Sequence, residues 1–336
     1  MRIGIDAMGG DQAPAEPVRG AVEALSLLSE DCRIVLVGDS LAIQKELESL
    51  GFAGDGIEVV HASQVVNMNE APVEAIRSKP DSSLSLLVKL QADGQIDAGI
   101  SAGNTGAFVA ATQMHLRRLE GVRRPGITII TPTFHGSVAI CDVGANVSCR
   151  PQHLHQYAIM ASLYVSAVCG VKNPRVGLLS VGEEEAKGNE LVKRARELLE
   201  NDPNIRFLGN VEGRDIFGGV CDVVVCDGFV GNVVLKLMEG MAGAVAKTLL
   251  EELVEAMPDQ IAKIQQVAQS IVSKYDFNEY GGAPLLGVAG ISIICHGASD
   301  HHGIKNAVRA AADFSRYRVN EQITEWLSQR QETAHE

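Results

Sequence analysis

Nine short runs rich in Val and Ile recur along the 336-residue chain, and segments with apolar residues at helical spacing separate most of them. The runs fall at 3–5, 34–37, 57–60, 96–100, 127–131, 138–141, 176–181, 205–208 and 223–226, with helical patterns at 15–29, 41–50, 106–119, 151–169 and 190–200. Strands joined through helices need crossover connections, which give a mainly parallel sheet covered on both faces. The expected class is therefore α/β, a three-layer, doubly wound, mainly parallel sheet. With 46% apolar residues the chain fills a sizeable core, as one large α/β unit or about two domains. The Arg-Arg-Pro-Gly turn near residue 125 marks the expected division. Residues 1–125 and 285–336 form a first lobe and 126–284 a second.

A net charge of −13 argues against nonspecific nucleic-acid binding, which rests on an excess of Lys and Arg. A local basic patch still acts, because screening in physiological salt reaches only about 8 Å. The densest such patch is Arg117, Arg118, Arg123 and Arg124. The seven Cys residues include no C-x-x-C pair and several lie inside apolar runs, as reduced, buried thiols of a cytoplasmic protein do. The chain opens on a strand-like MRIGID rather than on a signal peptide. The apolar stretch 158–171 is too short for a bilayer core of about 30 Å, so no span is expected. Residues 232–257 read as an amphipathic helix with Lys236, Glu239, Gly243, Lys247 and Glu251 on one polar edge, and a second helix follows over 259–274. The tail after Gln329 is expected to fray.

Five runs end in polar, glycine-rich turns that open helices: 6–11, 101–106, 142–146, 182–189 and 227–232. Ligands of such sheets sit beyond the strands' carboxyl ends, where glycine leaves backbone N–H groups uncovered and a helix adds its positive end. These turns supply the candidate phosphate- and substrate-binding residues Asp11, Gly103, Thr105, Asp142, Asn146, Asn189, Asp227 and Gly231, with Lys236 just beyond. A tight strand-to-helix turn also needs glycine for structural reasons alone, so each turn by itself is weak evidence. No P-loop and no G-x-G-x-x-G after the first strand is present.

The stretches IDAMGGDQAP, ISAGNTGA, DVGAN, VGEEEAKGN, DVVVCDGFVGNVVLK, YGGAPLLGVAG and HGAS together resemble the PlsX family of acyl-carrier-protein-dependent phosphate acyltransferases, over residues 1 to about 320. The resemblance implies a fold related to phosphotransacetylases and isopropylmalate dehydrogenases, with a cleft between two lobes and a homodimer. It further implies transfer of a long-chain acyl group from acyl carrier protein to inorganic phosphate. The acyl phosphate would pass to a membrane glycerol-phosphate acyltransferase for phospholipid synthesis, from a cytoplasmic protein held peripherally at the membrane. No cofactor is implied.

A thioester is an activated donor and phosphate already carries anionic oxygens, so positioning and charge stabilisation suffice for direct attack. Asn104, Lys187 and Asn232 are expected to orient phosphate and the tetrahedral oxyanion, and His296 to protonate the departing thiolate. The anionic Asp11, Asp142 and Asp227 suit holding Lys or Asn side chains, or capping helices. The basic patch suits an acidic carrier. Cys226 invites a covalent acyl-enzyme, but its place at the end of an apolar strand favours a structural thiol. His296, His301 and His302, with His153 and His155, lack a convincing ligand set for a metal. The competing readings are a nicotinamide-dependent decarboxylating dehydrogenase of related fold, and a noncatalytic lipid-surface scaffold.

Overall fold

The computed structural model describes residues 1–275 and 277–333. Residue 276 and residues 334–336, the end of the tail expected to fray, lie outside that description. In chain order the first half runs β1 (Arg2–Asp6), α1 (Ala15–Ala24), β2 (Arg33–Gly38), α2 (Ser40–Ser49), β3 (Ile57–His61), α3 (Pro72–Ser78), α4 (Ser83–Ala92), β4 (Ala98–Ser101) and α5 (Thr105–Ala111). The second half adds β5 (Gly126–Thr133), β6 (Gly136–Cys141), α6 (Pro151–Cys169), β7 (Arg175–Leu179), α7 (Glu190–Glu200), β8 (Arg206–Val211), β9 (Val223–Val225), α8 (Gly228–Ala256) and α9 (Ile261–Tyr275). The chain closes with β10 (Ala283–Leu286), β11 (Ile291–Ile294), α10 (His301–Arg316) and α11 (Val319–Thr333).

One eleven-stranded sheet, ordered β3-β2-β1-β4-β11-β10-β5-β6-β9-β7-β8, runs through the protein. Within it β3, β2, β1, β4 and β11 are mutually parallel, as are β6, β9, β7 and β8. The expectation of a mainly parallel sheet therefore holds within each half. The halves oppose one another, because β10 is antiparallel to both β11 and β5, and β5 to β6.

That reversal alone would send the two sets of carboxyl ends to opposite edges, but the register prevents it. Ile5 pairs with Ile100, Ile100 with Ile293, and Ile293 with Pro284. The antiparallel step from β10 to β5 sets Leu285 against Ile127, and one residue on Thr128 faces Cys141, which pairs with Val225. Both sets of strands thus end at a single row, and Asp6 and Ser101 stand about two residues, roughly 7 Å, above Asp142 along the strands.

Two apolar layers cover the sheet. One face packs against α1, α2, α6, α7, α10 and α11. The other packs against α3, α4, α5 and the first turns of α8, through Val234, Leu235 and Met238. α5, which carries Thr105, and α8, which carries Gly231, Asn232 and Lys236, therefore share one face. α8 is 29 residues long and is long and apolar enough, by length and composition, to cross a membrane, with 6% of its most apolar window buried. The stretch 158–171, read as the longest apolar run, belongs instead to α6, whose apolar side chains are largely buried in the core.

Candidate active site

The expectation that glycine-rich turns offer open N–H cradles is corrected at three of the five turns. In the 142–146 turn the buried Asp142 carboxylate itself accepts from the N–H groups of Gly144, Ala145 and Asn146, at 3.0, 2.9 and 2.8 Å, and from Ile127 at 3.1 Å. In the 227–232 turn Asp227 caps α8, accepting from Phe229 and Val230 at 3.0 Å, and Gly228 donates to the Asn146 carbonyl. In the 6–11 turn Asp6 accepts from Met8 N–H and from Ser101 Oγ. Each of these cradles is filled by the turn's own carboxylate, so Asp142, Asp227 and the buried Asp6 hold the backbone of their turns. Burial pushes the Asp142 carboxyl upward, against the bonds it accepts from Ala145, Asn146, Gly144 and Ile127.

Several other candidates are committed in the same way. Asn146 is buried, and its amide donates to the Pro125 carbonyl, Asp142 and Tyr157 Oη. Asn189 caps α7 by accepting from Val192 N–H. Gly231 is a packing position, since a Cβ there would lie 1.9 Å from the Asp142 carbonyl oxygen. Gly103 donates its N–H to Ser101 Oγ. Asp11 is exposed and ties its turn to the loop after β11 through its N–H, 2.7 Å from the Gly297 carbonyl. Asn104 is the largest departure. Its Oδ1 accepts from Ala107 N–H at 3.0 Å, and its Nδ2 donates to the carbonyls of Asn67, Met68 and Glu70. With both ends of the amide engaged, Asn104 caps α5 and holds the 67–70 loop, and it is unavailable to a reacting oxyanion.

Grouping Asn104 with Lys187 and Asn232 is corrected as well. β4, which precedes Asn104, and β7, which precedes Lys187, stand six places apart in the sheet, roughly 29 Å at ordinary strand spacing. Lys187 and Asn232 follow neighbouring strands, β7 and β9. Asn232, exposed in the first turn of α8, lies over Gly144. The stem of exposed Lys187 lies over Gly182, and no ion pair or hydrogen bond engages its ammonium among the described residues.

One turn along α8 from Asn232 comes Lys236, and here the halves meet. Its Nζ donates to Glu239 Oε2 at 2.8 Å and lies 3.3 Å from Nε2 of His296, which follows β11. Nine residues of helix from Asp227 climb about 14 Å, enough to carry Lys236 past the row of strand ends. Ala298 N–H lies 3.3 Å from His296 Nδ1, and because the Lys236 ammonium can only donate, the two contacts call for opposite tautomers of a neutral ring. The other Glu239 oxygen, Oε1, is buried without a hydrogen-bond partner. Met68 lies over Gly297 and, through its carbonyl, on Asn104, which links His296 to the N-terminus of α5. Thr105 and Gly106 are exposed there, in the first turn, where a helix leaves N–H groups without intrahelical partners.

Beside this polar edge runs an apolar groove of about 870 Å³ between α8, α9 and a 3₁₀ turn at Gly213–Gly218. Val234, Leu237, Met238 and Met241 line it from the same turns of α8 that carry Lys236 and Glu239. Sequence reading found the two helices but not the groove, whose other wall is formed by Phe134, Ile216 and Phe217 from distant segments.

Cys226 is buried and donates Sγ–H to the Asp142 carbonyl at 3.5 Å, and burial, then the Asp142 charge, pushes its thiol far up. It is a structural thiol. His301 pairs with Glu16, His302 with Glu279 and His155 with Asp202, and among the described residues no three metal-ligating side chains converge. The basic cluster divides: Arg123 and Arg124 face a pocket together with Arg118, while Arg117, at φ +67°, lines a neighbouring one.

This fold is shared with solved phosphotransacetylases. A phosphotransacetylase from Streptococcus pyogenes superposes with a TM-score of 0.63 at 16% identity, covering 96% of this chain and 94% of that one. A branched-chain phosphotransacylase from Enterococcus faecalis V583 gives 0.57 at 14% identity, over 93% and 98%. Within that fold the chain belongs to the family described as "Fatty acid synthesis protein", which it matches over residues 1–322. It is 46% identical over 331 residues to the phosphate acyltransferase of Geotalea uraniireducens, covering 98% of this chain and 95% of the relative. It is 49% identical over 315 residues to that of Desulforamulus reducens, covering 93% of each. The chain is an acyltransferase.

Proposed function

We propose that this acyltransferase moves a long-chain acyl group from acyl carrier protein to inorganic phosphate by direct attack, giving acyl phosphate for phospholipid synthesis. The observation that carries the reading is the apolar groove and the polar row Asn232, Lys236 and Glu239 sharing the same turns of α8. A groove of about 870 Å³ lies within the roughly 300–1,000 Å³ usual for small-molecule sites, and its lining suits an alkyl chain. With the chain in the groove, the thioester carbonyl lies against the row.

Lys187, Lys236 and the Asn232 amide hold the phosphate. One phosphate oxygen attacks the thioester carbon, and the C–O bond forms as the carbonyl oxygen gains charge. The Asn232 amide stabilises that oxyanion. Collapse breaks the C–S bond, and His296 delivers a proton to the departing thiolate. The carrier approaches over Arg117, Arg118, Arg123 and Arg124, whose charge complements an acidic partner. By family resemblance the protein is a cytoplasmic homodimer resting peripherally on the membrane, where a glycerol-phosphate acyltransferase takes the product. The apolar stripe on α8 supports the surface attachment, with Val233, Leu237, Met241, Val245 and Leu249 all at least half exposed.

The test is incubation of the purified protein with palmitoyl-carrier and phosphate, following free thiol and acyl phosphate by mass. Equal amounts of both, formed only when phosphate is present, are expected. Thiol release without acyl phosphate would reject the reading.

A further inference from the structure

The second-lobe edge carries another concave site, on the far side of the 142–146 turn from Asn232. A pocket of about 520 Å³ is lined by Arg118, Arg123, Arg124, Arg150 and His153, with Ser148 and Cys149 between them. Four guanidiniums thus face one small volume in a chain whose net charge is −13. Every arginine–carboxylate pair among the described residues lies elsewhere, so none of the four is neutralised. Among these guanidiniums, Arg118 donates within the cluster, to the Arg123 carbonyl. The four are exposed and share this volume without a carboxylate, so an anion entering it meets positive charge from several residues.

The surroundings add to the positive field. α6, 19 residues long, opens at this pocket with Arg150 as its N-cap and Pro151 in the first turn, so its positive end faces the same volume. His153 takes the Arg150 N–H on Nδ1 at 3.1 Å, which fixes the neutral ring with its proton on Nε2 as one more donor. Burial first, then the charges of Arg124, Arg150 and Arg123, hold His153 below its ordinary pKa. No carboxylate lines the pocket, so nothing there receives a cation. Planar, forked donors match phosphoryl oxygens in bidentate geometry.

We infer that this pocket is a binding site for a phosphoryl oxyanion, separate from the phosphate that reacts. Two sources share that chemistry: the phosphodiester of the carrier's phosphopantetheine arm, and a free polyphosphate. The first rests on the carrier-dependent reaction proposed above. The second does not.

Calorimetric titration of the whole protein at low salt, with free phosphopantetheine in one arm and pyrophosphate in the other, tests the assignment. Saturable binding in at least one arm is expected, weakened tenfold or more in Arg123→Gln/Arg150→Gln and again in Arg118→Gln/Arg124→Gln, with unfolding temperatures unchanged. Binding of phosphopantetheine assigns the pocket to the carrier's arm, and binding of pyrophosphate alone to a free polyphosphate. The site is overturned if neither probe binds, or if both double variants bind as the unmodified protein does. A raised KM for the acyl carrier with no binding of either probe overturns it too, since the arginines then dock an acidic protein surface.

Discussion

Each carboxylate of the turns has a task visible in its bonds. Asp142 and Asp227 fill the N–H cradles of their own turns, so on the proposed reading side chains hold the anion, and Lys187, Asn232 and Lys236 are the exposed ones. The capping role of the aspartates was legible from residue type, because a short carboxylate before a helix accepts its first N–H groups. The role of Asn104 was not, since the three carbonyls it holds come from residues 67–70, far away in sequence. Asn104→Ala is therefore a stability variant. Losing the cap alone costs about 0.5–2 kcal/mol, seen as a lower urea midpoint at unchanged slope.

A second residue-level prediction concerns acid. Burial alone would raise Asp222, but the bonds and charge of Arg175, and Arg206 beyond, outweigh it and hold the carboxyl below its usual value. A depressed carboxylate contributes stability that is present above the unfolded pKa, about 3.9, and is lost as pH falls through the folded value. The stability gap between the unmodified protein and Asp222→Asn, read by thermal unfolding, should be full at pH 7 and close below about pH 4. A gap that widens in acid would contradict this account.

At the scale of elements, the Val/Ile runs located β1 to β9, and the helical patterns located α1, α2, α5, α6 and α7. Escaping notice were β10 and β11, four residues each and interrupted by Pro and Gly in APLLGVAG, and they are the strands that join the halves. α8 begins at Gly228, four residues before the expected start at 232, because the Asp227 cap sets its origin. Its glycines divide by environment. Gly231→Ala drives a Cβ to 1.9 Å from the Asp142 carbonyl and should cost at least the ~1–3 kcal/mol of forced overpacking. Gly240→Ala meets nothing within 4 Å and should stabilise by about 0.5–1 kcal/mol through helix propensity. Thermal unfolding of the two should move in opposite directions.

For the whole molecule, composition and alternation gave the α/β class, but neither reveals that the parallel halves oppose one another. That follows from the antiparallel pairings of β10 and β5, and from a register that brings both sets of strand ends to one row. The joint site at Lys236 and His296 depends on that offset, 60 residues apart in sequence and on opposite halves of the sheet. Beyond it the α8–α9 hairpin presents its exposed stripe. Leu237→Glu/Met241→Glu should reduce flotation with anionic vesicles several-fold while the far-ultraviolet spectrum is kept. Equal flotation would remove the stripe from membrane contact.

The central claim is that the second-lobe edge, through side chains, holds the phosphate that attacks. Its most direct test is the phosphate dependence of single-turnover acyl transfer in Asn232→Ala beside the unmodified protein. Loss of an oxyanion donor predicts a fall of about 100-fold or more in rate with an unchanged unfolding temperature. A rate and phosphate dependence matching the unmodified protein would place the reaction elsewhere.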